Sequence, residues 1–391
     1  SGKCVATAFW FGVSAPRTEV RREVSLETAV SFQSCIAPVT DPRQPAKVVH
    51  RLDELLLVCL CAVVSGSESF VDIAEYGEEK LEFLRTLAPF AHGIPSHDTL
   101  SAVFRALDPD EFGRAFAAWV TGLSGQLDGA VVAIDGKTVR GSKAGGASPL
   151  HLILAWCDDL GLVPGQQASG HKTNEVKDIP ALLDLLSLEG AVVTLDAMGC
   201  QRDIAAGIRR KGADYVLALT GNQGLLHEDV RLWFEEREQP NTRQCQTVDR
   251  DKGRVETRIY TQCGAINWLR RRHPGWQDLA SIGRVVSIRE SGGKTTRQTR
   301  YFISSLPADA ARFARAVRGH WGIENRLHWV LDVTFRDDDS RVRKDHAPKN
   351  FAVIKHATMN LLNRARGRKS LRVMRKKAGW NDQLLLQILT A

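Results

Sequence analysis

The chain has 391 residues, 43% of them hydrophobic and 25% charged, with a formal net charge of +8 at pH 7. Its length allows a real core in two or three domains, and its composition is that of an ordinary soluble protein. The longest apolar stretch, LLLVCLCAVV at 55–64, is too short to span a bilayer, so no membrane partner is expected.

The start, SGKCVATAFW, lacks a Met and a basic stretch leading into a long apolar core. No signal peptide is expected there, and Ser1 and Gly2 read as an expression scar. Eight scattered cysteines form no CxxC pair and no zinc-like spacing with His, which points to reduced thiols in a cytosol. Charge is unevenly spread. Residues 311–391 hold 18 Lys and Arg against 7 Asp and Glu, whereas the first 310 hold 35 against 38.

Residues 1–36 show no sustained period and read as a poorly determined arm. From DPRQPAKVVHRLDELLLVCLCAVVSG the texture is helical, with apolar residues at spacings of three and four and Gly66 to close. Further short helices follow, and in GIPSHDTLSAVFRALDP either Ser96 or Asp98 can cap a helix whose Leu100, Val103, Phe104 and Leu107 share one face. Residues 37–125 are therefore expected to form an N-terminal helical domain. Its helix after GIPSHDT could read DNA as part of a helix-turn-helix.

After Gly129 the period changes. AVVAIDGKTV, LHLILAWCDD and LVPGQQAS are β-rich, and helices and strands then alternate through NEVKDIPALLDLLSLEG, AVVTLDAMG, CQRDIAAGIRRKG and ADYVLALT. The order β, β, β, α, β, α, β over 126–220 predicts a mixed sheet with helices on both faces and its first, fourth and fifth strands parallel at the centre. Residues 221–307 interrupt this pattern as a β-rich insertion, since GRVETRIYTQC, GRVVSIRES and TRYFISSL alternate like half-exposed antiparallel strands.

In 308–345 a long amphipathic helix is expected, with Phe313, Val317, Trp321, Glu324, Leu327 and Leu331 on one face. Glu324 in that face points to the region where Asp135 and Asp196 follow apolar strands. An ionised carboxylate is costly beside apolar structure unless it is paired or metal-bound. Three converging carboxylates suit hard cations such as Mg²⁺ or Mn²⁺, and two such ions can serve an in-line displacement at phosphorus. Residues 346–391 form a basic C-terminal segment. Between 341 and 380 there are 13 basic residues and 1 acidic one, a density suited to phosphate-backbone binding by Arg364, Arg366, Arg368, Lys369, Arg372, Arg375, Lys376 and Lys377.

AIDGKTVRGS, GAVVTLDAMGCQRDIA, GADYVLALTGNQ, GRVETR and HWGIENRLHWVLDVTFRDDDSRVR, in this order, resemble the DDE transposases of the ISAs1 insertion-sequence family, including the H-repeat-associated proteins. The resemblance spans roughly 37–365 and implies an RNase H-like α/β fold with a β-rich insertion, preceded by a small helical domain. It implies Asp135, Asp196 and Glu324 as catalytic and metal-holding residues, with two Mg²⁺ ions as cofactor and Mn²⁺ as substitute. The implied partners are double-stranded DNA, as element terminal inverted repeats and as target, and a second copy in a homodimer on DNA. The implied location is the bacterial cytoplasm, on the nucleoid. Related transposases with this insertion often carry Tyr, Arg and Lys where this chain has Val317, His320 and Leu331, and many family members carry Lys where it has Thr220. Arg315, Arg318 and Arg326 are the candidates to hold substrate phosphates instead. A cleavage-deficient DNA-binding protein on the same scaffold and an RNase H-like nuclease are the competing function classes.

Overall fold

A computed structural model describes residues 32–34, 36–143, 148–169, 175–236, 241–251 and 253–391. Most of the arm read at 1–36 lies outside the described residues, although Phe32 is buried with its ring 5.3 Å from that of Trp119. The helical domain contains α1 (Leu52–Ser65), α2 (Phe70–Glu79), the short α3 (Leu81–Leu84), α4 (His97–Ala106) and α5 (Pro109–Ser124). Every residue of α1 from Glu54 to Val64 is buried, so the apolar run at 55–64 is a core helix surrounded by others. Ser96 is the cap of α4, accepting from Thr99 N, and Leu100, Val103, Phe104 and Leu107 are fully buried.

The sheet has nine strands: β1 (Val131–Val139), β2 (Leu150–Cys157), β3 (Leu162–Ser169), β4 (Val192–Leu195), β5 (Asp214–Leu219), β6 (Thr242–Asp251), β7 (Arg254–Cys263), β8 (Ser281–Ser291) and β9 (Lys294–Ser304). Their spatial order is 3-2-1-4-5-9-8-7-6. β1, β4 and β5 are parallel and every other pairing is antiparallel, as the RNase H-like reading expects. The insertion prolongs this sheet, because β9 pairs directly with β5. One face is covered by α6 (Glu175–Leu185), α7 (Arg202–Arg210), α8 (Gly224–Glu235) and α9 (Asn267–Arg272). The other carries α10 (Ala310–His320) over β1, β4 and β5 and the helical domain over β2 and β3.

The expected long helix is broken. After α10, residues Ile323–His328 form a π-helical turn that leads into α11 (Trp329–Val333).

The basic C-terminal segment is folded core rather than a tail. It forms α12 (Ala347–Ala365), α13 (Leu371–Trp380) and α14 (Asp382–Leu389). α12 is buried from Asn350 to Leu362 and packs on α1, α4, α5 and β3. Phe351, Ile354, Met359 and Leu362 give this helix an apolar surface that water cannot cover favourably, and the density of charge around it does not register that. Arg375 was expected on DNA, and the structure corrects this: its buried guanidinium donates to the carbonyls of Val63, Ser67 and Thr334 and lies over the Phe335 ring.

Candidate active site

The β1–β4 ladder runs from Val131 beside Val192 to Ile134 beside Leu195. The next residue on each strand is Asp135 and Asp196, one strand spacing apart, about 4.8 Å between backbones. Alternation puts both on the face shared with Val131, Ala133, Val192 and Thr194. That face is covered by α10, so closely that a Cβ on Gly319 would come within 2.8 Å of Val131 Cγ1. β4 stops at Leu195, and Asp196 Oδ1 accepts from the N–H groups of Met198 and Gly199 in the following turn. β1 runs on past Asp135 because β2 still pairs with it there, opposite Leu154.

The π-helical turn alters the third carboxylate. With the extra residue, Ile323 and Leu327 become the buried positions and Glu324 is exposed. Glu324 thus leaves the middle of the apolar face and stands at the rim of a cavity of ≈ 180 Å³, whose polar wall is Thr194, Asp196, Arg300, His320 and Glu324. His320 Nδ1 is 3.0 Å from Thr194 Oγ1, and burial lowers its pKa. Arg300, from β9, lies over the Trp321 ring at 4.6 Å and has a buried Nε without a hydrogen-bond partner.

Asp135 stands on the strand beside Asp196 and is not part of the cavity wall. Burial, together with the charges of Asp196, Glu324 and Glu175, pushes its carboxyl up to about 7, against the opposing hydrogen bond from Gly136 N–H. Such a carboxyl is one that a cation among these oxygens would stabilise in its ionised form. The three carboxylates offer oxygen, which fits a hard divalent ion, with His328 Nδ1 3.8 Å from Asp135 Oδ2 and His320 in the cavity wall. Among the described residues no group of three or more His, Cys, Asp or Glu stands ready as a metal cluster.

Residues 126–361 match the model of the transposase DDE domain, and residues 33–120 match the domain model associated with it. The chain belongs to the DDE transposase family. It is 36% identical over 363 residues to YhhI, an H repeat-associated protein of Escherichia coli K12, covering 90% of this chain and 96% of that one. YncI of Escherichia coli O157:H7 is 36% identical over 369 residues, covering 92% and 95%. A cryo-EM structure of a piggyBac transposase synaptic complex with hairpin DNA aligns over 94% of this chain and 79% of its own, at 11% identity and a TM-score of 0.40. The family resemblance read from the motifs is thereby established. A transposase DDE domain implies dependence on a divalent metal. Among the described residues no single helix is long and apolar enough to cross a membrane.

Val317, His320, Leu331 and Thr220, where the motif resemblance implies other residues, each have work in this fold. Val317 and Leu331 are buried apolar residues, His320 is held by Thr194, and Thr220 donates to Asn222, whose amide reaches Ala197 O beside Asp196. Arg315, Arg318 and Arg326 line a second groove next to the cavity, paired with Asp159, Asp249 and Asp158. Of the C-terminal cations, Arg364 donates to Leu123 O and Ala391 O, and Arg366 is half-buried. Arg368, Lys369, Arg372, Lys376 and Lys377 are exposed.

Arg300, His151 and Glu175 went unnoticed in the sequence. His151 Nε2 lies 2.5 Å from Glu175 Oε1, and both crowd Gly136 so closely that a Cβ there would meet them at 2.5–2.7 Å. A histidine inside LHLILAWC was a usable signal, because a polar side chain in an apolar strand needs a partner. Arg300 carried no such signal, since only the β5–β9 pairing brings it near Asp196.

Proposed function

We propose that this transposase cleaves the ends of an insertion sequence and joins them to target DNA by phosphoryl transfer, with Asp135, Asp196 and Glu324 holding two Mg²⁺ ions and a homodimer bringing two ends together. The observation that carries the reading is the parallel register that sets Asp135 and Asp196 side by side on the face capped by the Glu324-bearing turn. Divalent ions, when bound, activate an attacking oxygen and stabilise the leaving oxygen at phosphorus. The chain's own residues do the rest. The three carboxylates supply charge and oxygen ligands, the apolar wall of Val216, Phe302 and Val317 limits water, and Arg300 places a positive charge in the cavity wall. His320, kept neutral by burial and tied to Thr194, shapes the cavity without adding charge.

The test is strand cleavage of duplexes carrying the DNA that flanks the reading frame, with Mg²⁺ or Mn²⁺, beside a gel shift on the same duplexes. Alanine at Asp135, Asp196 or Glu324 abolishes cleavage and leaves binding within about twofold, since affinity rests on phosphate contacts spread elsewhere. Parallel loss of both activities would make the three residues structural.

A further inference from the structure

The insertion half of the sheet presents a graded face toward α10. Gly283 and Phe302 lie against Phe313, so closely that a Cβ on Gly283 would meet the Phe313 ring at 2.4 Å. Moving outward in two-residue steps of about 6.8 Å, the paired rows on this same face hold Arg300 and Tyr260, then Arg258 and Gln298, then Arg289 and Glu256, then Arg254 and Lys294. Arg315, Arg318 and Arg326 approach from α10 and the π-helical turn. Together Arg254, Arg258, Arg289, Arg315, Arg318 and Arg326 line a groove that shares Trp321 with the carboxylate cavity.

These cations do not stand free. Asp249 pairs with Arg258 and with Arg318, the latter at 2.8 Å. Glu256 pairs with Arg254 and with Arg258 and Arg289 at 2.7 and 3.7 Å. Asp159 holds Arg315 at 2.8 Å and Asp158 holds Arg326 at 3.2 Å. Four carboxylates thus occupy the donors of six arginines. Asp249 and Arg318 are each nearly half exposed, and Arg315 and Arg326 are more so, so the Asp249–Arg318, Asp159–Arg315 and Asp158–Arg326 pairs are weak and open to competition by another anion, whereas Glu256 and Arg258 are buried and stay paired.

We propose that this groove seats the phosphate backbone of DNA leading into the active site, and that Asp158, Asp159 and Asp249 are built-in competitors which the backbone displaces. The proposal rests on the transposase reading and names the surface that this reading needs. A row of guanidinium forks one strand repeat apart matches a polyanion better than a single small anion, because each fork can take one phosphate in bidentate fashion.

Competition gives an unusual sign. Asp249→Asn and Asp158→Asn, each removing a carboxylate from a DNA-facing groove, should each tighten binding of the full chain to a short duplex of arbitrary sequence by about threefold at low salt. The triple variant Arg289→Ala, Arg315→Ala, Arg318→Ala should weaken binding and flatten the slope of log affinity against log salt by about 2.7, roughly 0.9 for each lost phosphate contact. Fluorescence anisotropy in EDTA measures both without chemistry, and matched thermal melts separate binding from folding. Asn variants that bind no tighter than the parent, or a triple variant with the parent's salt slope, would overturn the proposal. Absence of Mg²⁺-dependent cleavage in the unmodified chain would strike the transposase reading alone.

Discussion

Between β1 and β5 the sheet is covered on both faces, whereas from β6 to β9 only the roots of the strands are. All four residues of β4 are buried, while β6 has no buried residue and the outer half of the β8–β9 hairpin is exposed from Arg289 to Thr299. Parallel strands need helices on both sides, and that cover holds Asp135 and Asp196 in a fixed register. Antiparallel strands tolerate a wet face, and there the chain displays its arginines. The strands of the carboxylate half are thus covered and those of the insertion half exposed and charged toward their tips, with α10 and its π-helical turn as the seam.

Phe313 tests the seam most severely. It is buried and packs on Tyr260 and Phe302, so Phe313→Ala should cost about 3–5 kcal/mol in chemical denaturation, with the two halves of the sheet loosening together. Two separate transitions instead would show that the insertion folds on its own.

Arg375→Ala should lose about 2–4 kcal/mol of stability, because it strips three backbone carbonyls of a buried donor, yet leave the salt slope of DNA binding unchanged. Alanine at the exposed Lys376 and Lys377 offers the matched control for charge, with little effect on stability.

The third contrast concerns pH. A carboxyl raised to about 7 in the folded chain and near 4 when unfolded binds more protons folded between those values, so its contribution to stability falls as pH rises from 4 to 7. Asp135→Asn should therefore stabilise the metal-free protein at pH 8 by up to about 4 kcal/mol and leave it unchanged at pH 4, read as a shift in Tm. A stability gain of the same size at both pH values would trace the effect to packing. Smallest of all, Thr296→Ala on the exposed hairpin should stay within about 0.5 kcal/mol of the parent.

Several of these features were readable from residue order. The buried face of α4, its Ser96 cap and the order of three strands followed by alternation follow from local periodicity and turn chemistry, which act over a few residues. Asp135 and Asp196 stood out because each follows an apolar strand. Glu324 was legible as a carboxylate in an amphipathic helix, but its place on that helix was not. A straight α-helix buries it, whereas one extra residue in the turn exposes it, and that depends on Ile323 and Leu327 finding the core. The C-terminal segment misled for a related reason. Thirteen cations in forty residues dominate a charge count, and the apolar positions of α12 between them only matter once α1 and α5 are there to receive them.

The sequence by itself determined the family, the strands of the core and most of the helices before the basic segment, because these rest on alternation, spacing and motif order, and it singled out the three carboxylates as candidates. Tertiary structure decided which cations are free. Arg375 is a core donor, Arg318 shares Asp249 with Arg258 from another strand, and Arg300 reaches the cavity across the β5–β9 pairing. Charge counts along a chain carry no distance, and a guanidinium's role is set by whichever oxygen lies within hydrogen-bond reach once the sheet and its helices have packed.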